Sequence, residues 1–165
     1  MEAIPISTLF IGINGLVALV LSYIVVMERT RTRVWHGESK EDVAMQPDPL
    51  AHPTAWVSTV ESMSQKFSAT LVDAGALQRK VRAHANFVEY VPLGLLFIVA
   101  LELMHSPWLV WLLGGTLTIA RIVYAYGVIT TYGPSVGRAI GFFGTWLVYI
   151  IGASACVYYG FLGVI

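Results

Sequence analysis

Residues 108–131 read WLVWLLGGTLTIARIVYAYGVITT and contain a single charged side chain, Arg121. A helix needs about 20 apolar residues to cross the hydrocarbon core of a bilayer, so this run is long enough to span. The pattern repeats on both sides of it. Upstream, His105-Ser106-Pro107 breaks the chain, because proline fits the first turn of a helix but not its interior. Before that break, 83–104 is a second apolar run, carrying His84, Asn86, Glu89 and Glu102. Downstream, Tyr132-Gly133-Pro134 makes a turn, and 139–165 is uncharged throughout. Residues 3–27 form one more run, with no charge and one amide, Asn14. Short connections between the last three runs make them antiparallel neighbours. The chain therefore reads as an all-α membrane protein, a four-transmembrane-helix bundle.

Composition points the same way. Of 165 residues, 56% are hydrophobic and 12% charged, with ten basic and ten acidic side chains cancelling. That charged fraction is about half of what a soluble domain carries. Residues 28–82 hold Arg29, Arg31, Arg33, Lys40, Lys66, Arg79, Lys80 and Arg82, whereas 83–165 keep only Glu89, Glu102, Arg121 and Arg138. A disordered chain, a nucleic-acid binder with a basic patch and a water-soluble enzyme are all excluded. The lone Cys156 sits in an apolar run, which leaves no disulfide framework and no cysteine-based zinc site, and no metal is expected.

Charge bias sets the expected orientation. No basic residue precedes the first run and Arg29, Arg31 and Arg33 follow it, which is unlike a cleaved signal peptide. Because basic residues stay cytoplasmic, the 28–76 loop and the 132–138 turn are expected inside, and both termini outside. Within the loop, Pro47, Asp48-Pro49 and Pro53 make 46–53 an extended turn region. Beyond it Trp56, Val60, Met63, Phe67 and Leu71 fall on one helical face, predicting an amphipathic helix at about 55–72. Such a helix either lies in the membrane interface or packs over the mouth of the bundle.

Charges inside a span cost about 2.5–3.5 kcal/mol each at mid-bilayer, so Glu89 and Arg121 must face protein or water. Arg82, Asn86, Glu89 and Tyr90 follow one another at i, i+4, i+7 and i+8, along one stripe of the second span. Glu89 lies about 10 Å deeper than Arg82. Arg121 and Tyr124 make a similar stripe on the third span, about 15 and 10 Å from its cytoplasmic end, and Arg138 opens the fourth. The spacing predicts a polar pocket in the cytoplasmic half, lined by Arg82, Asn86, Glu89, Tyr90, Arg121, Tyr124 and Arg138. Three guanidinium groups against one carboxylate suit an anionic ligand that also bears an ammonium. The same residues also fit a simple Glu89–Arg121 interhelical pair, with Arg82 and Arg138 as snorkelling anchors.

Arg82-Ala83-His84-Ala85-Asn86-Phe87-Val88-Glu89-Tyr90-Val91-Pro92 resembles the second-span signature of the MAPEG family, the membrane-associated proteins in eicosanoid and glutathione metabolism. Ala120-Arg121-Ile122-Val123-Tyr124-Ala125-Tyr126-Gly127 resembles the family's third-span motif, and Arg138-Ala139-Ile140-Gly141-Phe142 the start of its fourth. The likeness covers about 72–150, with the first span matched by position, and is greatest to bacterial members and microsomal glutathione transferases. It implies a single domain over 1–165 that forms a homotrimer. Glutathione, as cosubstrate, would bind between subunits at the cytoplasmic side of a bacterial inner membrane or an endoplasmic-reticulum-type one. By the same resemblance Arg82, Asn86, Glu89, Tyr90, Arg121 and Tyr124 would grip glutathione. His84 matches a histidine of the transferase branch, and Arg138 would stabilise the thiolate. The chain departs from some members in having Val128 where a second tyrosine follows the glycine, and in its long 28–76 loop.

The chemistry suits the residues. Glutathione carries two carboxylates and an ammonium, and a cation in low dielectric, here Arg138 or Arg121, lowers a thiol pKa from near 8.5. Lipophilic electrophiles would arrive from the bilayer for conjugation, and lipid hydroperoxides for reduction. Two other readings compete: a non-catalytic lipid- or glutathione-binding scaffold of the same fold, and a small transporter or channel. A transporter needs polar residues along the whole depth of a span, whereas the outer half offers only Glu102. Gly114-Gly115 and Gly141 with Gly144 read as close helix packing, Trp35, Trp108 and Trp111 as interfacial belts, and Glu102 and His105 as partly hydrated outer-surface groups.

Overall fold

The computed structural model describes residues 4–34, 75–104 and 106–163, and between the first two of these segments only Met45, Thr59 and Ser62. Among the described residues the fold is four helices: α1 (Pro5–Thr32), α2 (Ala76–Leu103), α3 (Pro107–Thr130) and α4 (Val136–Leu162), each long and apolar enough to cross a membrane. No strand occurs among the described residues. The expected helix at 55–72, Trp35 and His105 lie outside the described residues, apart from Thr59 and Ser62. Local chemistry sets the ends. Pro5 and Pro107 occupy first-turn positions, where a missing N–H costs nothing. Arg33 closes α1 in the left-handed region at φ 58°, and Ser135 accepts the Arg138 N–H at 3.3 Å to cap α4.

Two boundaries differ most from the apolar runs. Helix α1 continues past Met27 to Thr32, and α2 begins at Ala76, well before Ala83. The reason is a buried ion cluster that joins these polar extensions. Glu28 of α1, 5% exposed, pairs with Arg31 one turn on and accepts Lys80 Nζ of α2 at 2.6 Å. Hydropathy alone stops at the first charge, but a helix whose charges are paired can continue.

Helices α2 and α3 form the centre. Helix α1 packs on both and α4 packs on both, while α1 and α4 do not touch among the described residues. The core runs in two clusters. Ile98, Leu101, Val110, Leu113, Leu117 and Val148 fill the half that holds the α2–α3 connection. Leu21, Ala83, Phe87, Val91, Ala125 and Val128 fill the half that carries the basic residues. Small residues let α3 and α4 approach closely: a Cβ at Gly141 would come within 2.5 Å of Ala120 O and 2.8 Å of Tyr124 Cα, and one at Gly144 within 2.9 Å of Ala120 Cβ. At Gly114 a Cβ would overlap the Phe10 ring, whereas Gly115 has open space around it. The expected packing role therefore holds for Gly114, Gly141 and Gly144 and not for Gly115.

Glu102 is not left to partial hydration. Its two carboxylate oxygens accept the Ile6 and Ser7 N–H groups at 2.9 and 2.6 Å, so the end of α2 caps the start of α1. Two orphan donors at a helix N-terminus are thereby satisfied by a negative charge, the sign that the helix dipole favours.

The glycine contacts give a direct test. Gly141→Ala must push two backbones apart and is expected to cost about 1–3 kcal/mol. Gly115→Ala gains helix propensity and should be neutral or stabilising by up to about 1 kcal/mol. Thermal midpoints of the two variants in detergent, compared with wild type, check the contrast.

Candidate functional site

Arg121 is 2% exposed in the middle of the bundle, nine residues from the end of α3 and so about 13 Å from it. Its Nη1 donates to Asn86 Oδ1 of α2 at 2.6 Å, and its Nη2 to the Gly141 carbonyl of α4 at 2.7 Å. The guanidinium lies 4.7 Å from the Tyr124 ring centroid and 5.5 Å from that of Tyr90. Glu89 is not its partner, and no carboxylate pairs with it among the described residues. Two charge-assisted bonds at about 1.5–3 kcal/mol each match the cost of about 2.5–3.5 kcal/mol for a charge at mid-bilayer, and the two ring faces add to them. Burial is thus met without neutralising the charge. The Nε, also buried, has no hydrogen-bond partner.

The α2 stripe divides. Asn86 and Tyr90 turn inward, half-buried, onto Arg121. Arg82 and Glu89, a separation of i, i+7, stand exposed on the outer face, and neither has a hydrogen bond or ion pair among the described residues. His84 is half-buried, likewise without a hydrogen bond, and joins neither group. The positions i+4 and i+8 are offset from i and i+7 by a fraction of a turn, enough to place them on the two sides of the helix edge.

Arg138 sits in the first turn of α4, half-buried, and its Nη2 donates to the Val128 and Thr131 carbonyls at 3.3 and 2.9 Å. On the other side Arg79 of α2 donates from Nε to the Ile129 carbonyl at 3.1 Å, with its guanidinium 4.2 Å from the Tyr132 centroid. Two arginines from flanking helices therefore satisfy the last-turn carbonyls of α3, where its dipole is negative. Close approach makes this possible, since a Cβ at Gly127 would meet Arg138 N at 2.9 Å. Arg138 Nε is buried and unpartnered.

Tyr149 escaped sequence reasoning. Its hydroxyl donates to the Tyr90 carbonyl at 2.6 Å, and its ring packs 5.9 Å from Tyr90 and 5.7 Å, edge-on, from Phe97. A signal existed: Arg138, Gly141, Thr145 and Tyr149 recur at i, i+3, i+7 and i+11, one face of α4, on which Gly141 and Thr145 are buried. The structure thus assembles Asn86, Tyr90, Arg121, Tyr124 and Tyr149. Arg82 and Glu89 lie on the adjoining outer face, and Arg138 at the end of α3.

A family model, the MAPEG family, matches residues 7–158, nearly the whole described bundle. The chain belongs to the MAPEG family. It is accordingly an integral, multi-pass membrane protein of the group associated with glutathione and eicosanoid metabolism. Comparison with curated proteins and with solved structures finds no significant match.

Removing the acceptor beneath a buried cation leaves the donor unsatisfied. Asn86→Ala is expected to destabilise the protein by about 1–3 kcal/mol, and Arg82→Ala, whose side chain has no partner among the described residues, by no more than about 0.5 kcal/mol. Reversible unfolding in detergent mixtures reads the difference.

Proposed function

We propose that this MAPEG protein is a glutathione-dependent transferase, with peroxidase activity toward lipid hydroperoxides, working as a homotrimer in a bacterial inner membrane or an endoplasmic-reticulum-type one. One observation carries the reading. A buried guanidinium without a carboxylate partner, Arg121, lies beside an outward stripe on which Arg82 and Glu89 are both unpartnered among the described residues. In hydrocarbon the exposed Glu89 alone would cost on the order of 2.5–3.5 kcal/mol, so a polar ligand or a neighbouring copy is needed to cover it. Glutathione answers both needs: its ammonium suits Glu89, and its carboxylates suit Arg82 and the positive field of Arg121. Asn86, Tyr90 and Tyr124 would line the inner wall, with His84 at its rim.

Arg138 is the group assigned to the thiolate. Unlike Arg121 it is only half-buried, and it spends a single nitrogen, Nη2, on protein carbonyls. Its charge favours the ionised sulfur, so a thiol that holds its proton near pH 8.5 in water ionises closer to neutrality beside it. The thiol proton passes to solvent at the basic end of the bundle. The thiolate then forms a bond to the electrophilic carbon of a bilayer-borne substrate and displaces the leaving group or opens the activated double bond. With a hydroperoxide it attacks the terminal oxygen and releases the alcohol, and a second glutathione completes the reduction to disulfide and water. That end is the cytoplasmic one if Arg29, Arg31 and Arg33 obey the positive-inside bias, which puts both termini outside.

The purified protein is expected to accelerate glutathione addition to 1-chloro-2,4-dinitrobenzene. Arg138→Ala should lower kcat by at least tenfold, with a smaller change in glutathione affinity. In the same variant the pH at which bound glutathione ionises, followed by thiolate absorbance, should move up toward that of the free thiol. Equal kcat for the two proteins would remove Arg138 from the mechanism, and binding without turnover would identify a scaffold instead.

A further inference from the structure

Three of the candidate glutathione ligands, Asn86, Glu89 and Tyr90, share little more than one turn of α2, and that turn ends two residues before Pro92. A proline inside a helix removes one i→i−4 hydrogen bond and crowds the carbonyl four residues back, here that of Val88. The stretch that must hold three ligands in register is therefore the stretch of α2 least able to hold itself. Something outside α2 has to fix it. Among the described residues, the hydrogen bond that reaches the backbone of this turn from another helix is that of Tyr149. It comes from α4, and its acceptor is Tyr90 O at 2.6 Å.

We infer that Tyr149 is the positioning residue of the site: its hydroxyl and ring hold the 86–90 turn against α4 so that Asn86, Glu89 and Tyr90 present a fixed set of groups to glutathione. The ring is seated between Tyr90 and Phe97, on either side of Pro92, so it braces the helix across the weak point. It lies on the α4 face that begins with Arg138 and supplies the Gly141 carbonyl to Arg121, so one helix face aligns the two cations and the α2 ligands together. Tyr149 acts through Tyr90.

The inference rests on the glutathione reading, and the experiment separates the two. Tyr149→Phe removes one oxygen and keeps the ring. Its comparison is Tyr159→Phe, which removes another tyrosine hydroxyl of α4, one bonded to Ser106 Oγ at 3.0 Å at the opposite end of the bundle. Isothermal titration of the full chain with glutathione, followed by turnover of 1-chloro-2,4-dinitrobenzene, reads both variants. Tyr149→Phe is expected to raise the glutathione Kd and KM about three- to tenfold with kcat within about twofold, whereas Tyr159→Phe leaves both constants unchanged. An unchanged Kd in Tyr149→Phe, or an equal shift in Tyr159→Phe, overturns the positioning role while wild-type binding keeps the glutathione reading intact. No binding by wild type overturns the glutathione reading, and the role of Tyr149 with it.

Discussion

Everything in the centre of this bundle is arranged around one charge that is solvated and not neutralised. Arg121 could have been met by a carboxylate, and Glu89 is on a neighbouring helix at comparable depth. The structure instead gives the guanidinium an amide oxygen, a main-chain carbonyl and two aromatic faces. Each of these stabilises a cation through dipoles or a quadrupole and leaves its field in place. A salt bridge would have held the helices together equally well but would have cancelled that field. The bonds also fix the geometry of three helices at once, because Asn86 belongs to α2, Arg121 to α3 and Gly141 to α4. The α3–α4 contact must be tight enough for the Gly141 carbonyl to be within reach, so the small residues along that seam and the buried charge depend on each other.

The same economy governs the helix ends. A bilayer offers few donors or acceptors to a frayed terminus, so the first N–H groups and last carbonyls need side chains from elsewhere in the fold. Glu102 supplies this for the start of α1, and Arg79 with Arg138 for the end of α3, each with the charge sign that the helix dipole favours. Lys80 and Glu28 tie α1 to α2 at the basic end. Charges that look like surface anchors in the sequence are thus fasteners between elements, and Arg138 is both a fastener and the candidate partner of the thiolate.

What could be read from the sequence follows from this. The four spans are legible because apolar length is a local property, and the inward turn of Arg121 because a charge in the middle of a span is costly in lipid; the same rule fails for Glu89, which stands exposed on the outer face. The division of the α2 stripe is not legible, since an offset of a fraction of a turn decides which side of the helix edge a residue takes. The extensions of α1 and α2 were missed because the pairing of Glu28 with Lys80 spans the long loop, and no spacing rule connects them. Glu102 was misjudged for the same reason: its partners are main-chain groups of Ile6 and Ser7, which carry no signature. Tyr149 was overlooked because a lone tyrosine in an apolar run looks like packing, and its significance lies in a backbone oxygen of another helix.

The division of the stripe has a physical consequence of its own. With Asn86 and Tyr90 committed to Arg121, the α2 groups left open at the membrane-facing surface are one cation and one anion, Arg82 and Glu89, two turns apart. A lone chain in a bilayer would bear the cost of both. That cost falls away where the face is covered by a zwitterion long enough to reach from one charge to the other, or by another copy that brings such groups. Two helical turns are about 10 Å, within the reach of an extended tripeptide at about 3.3–3.6 Å per residue. On the proposed reading, the exposed pair fits glutathione by both charge order and length, whereas a simple inorganic anion matches neither.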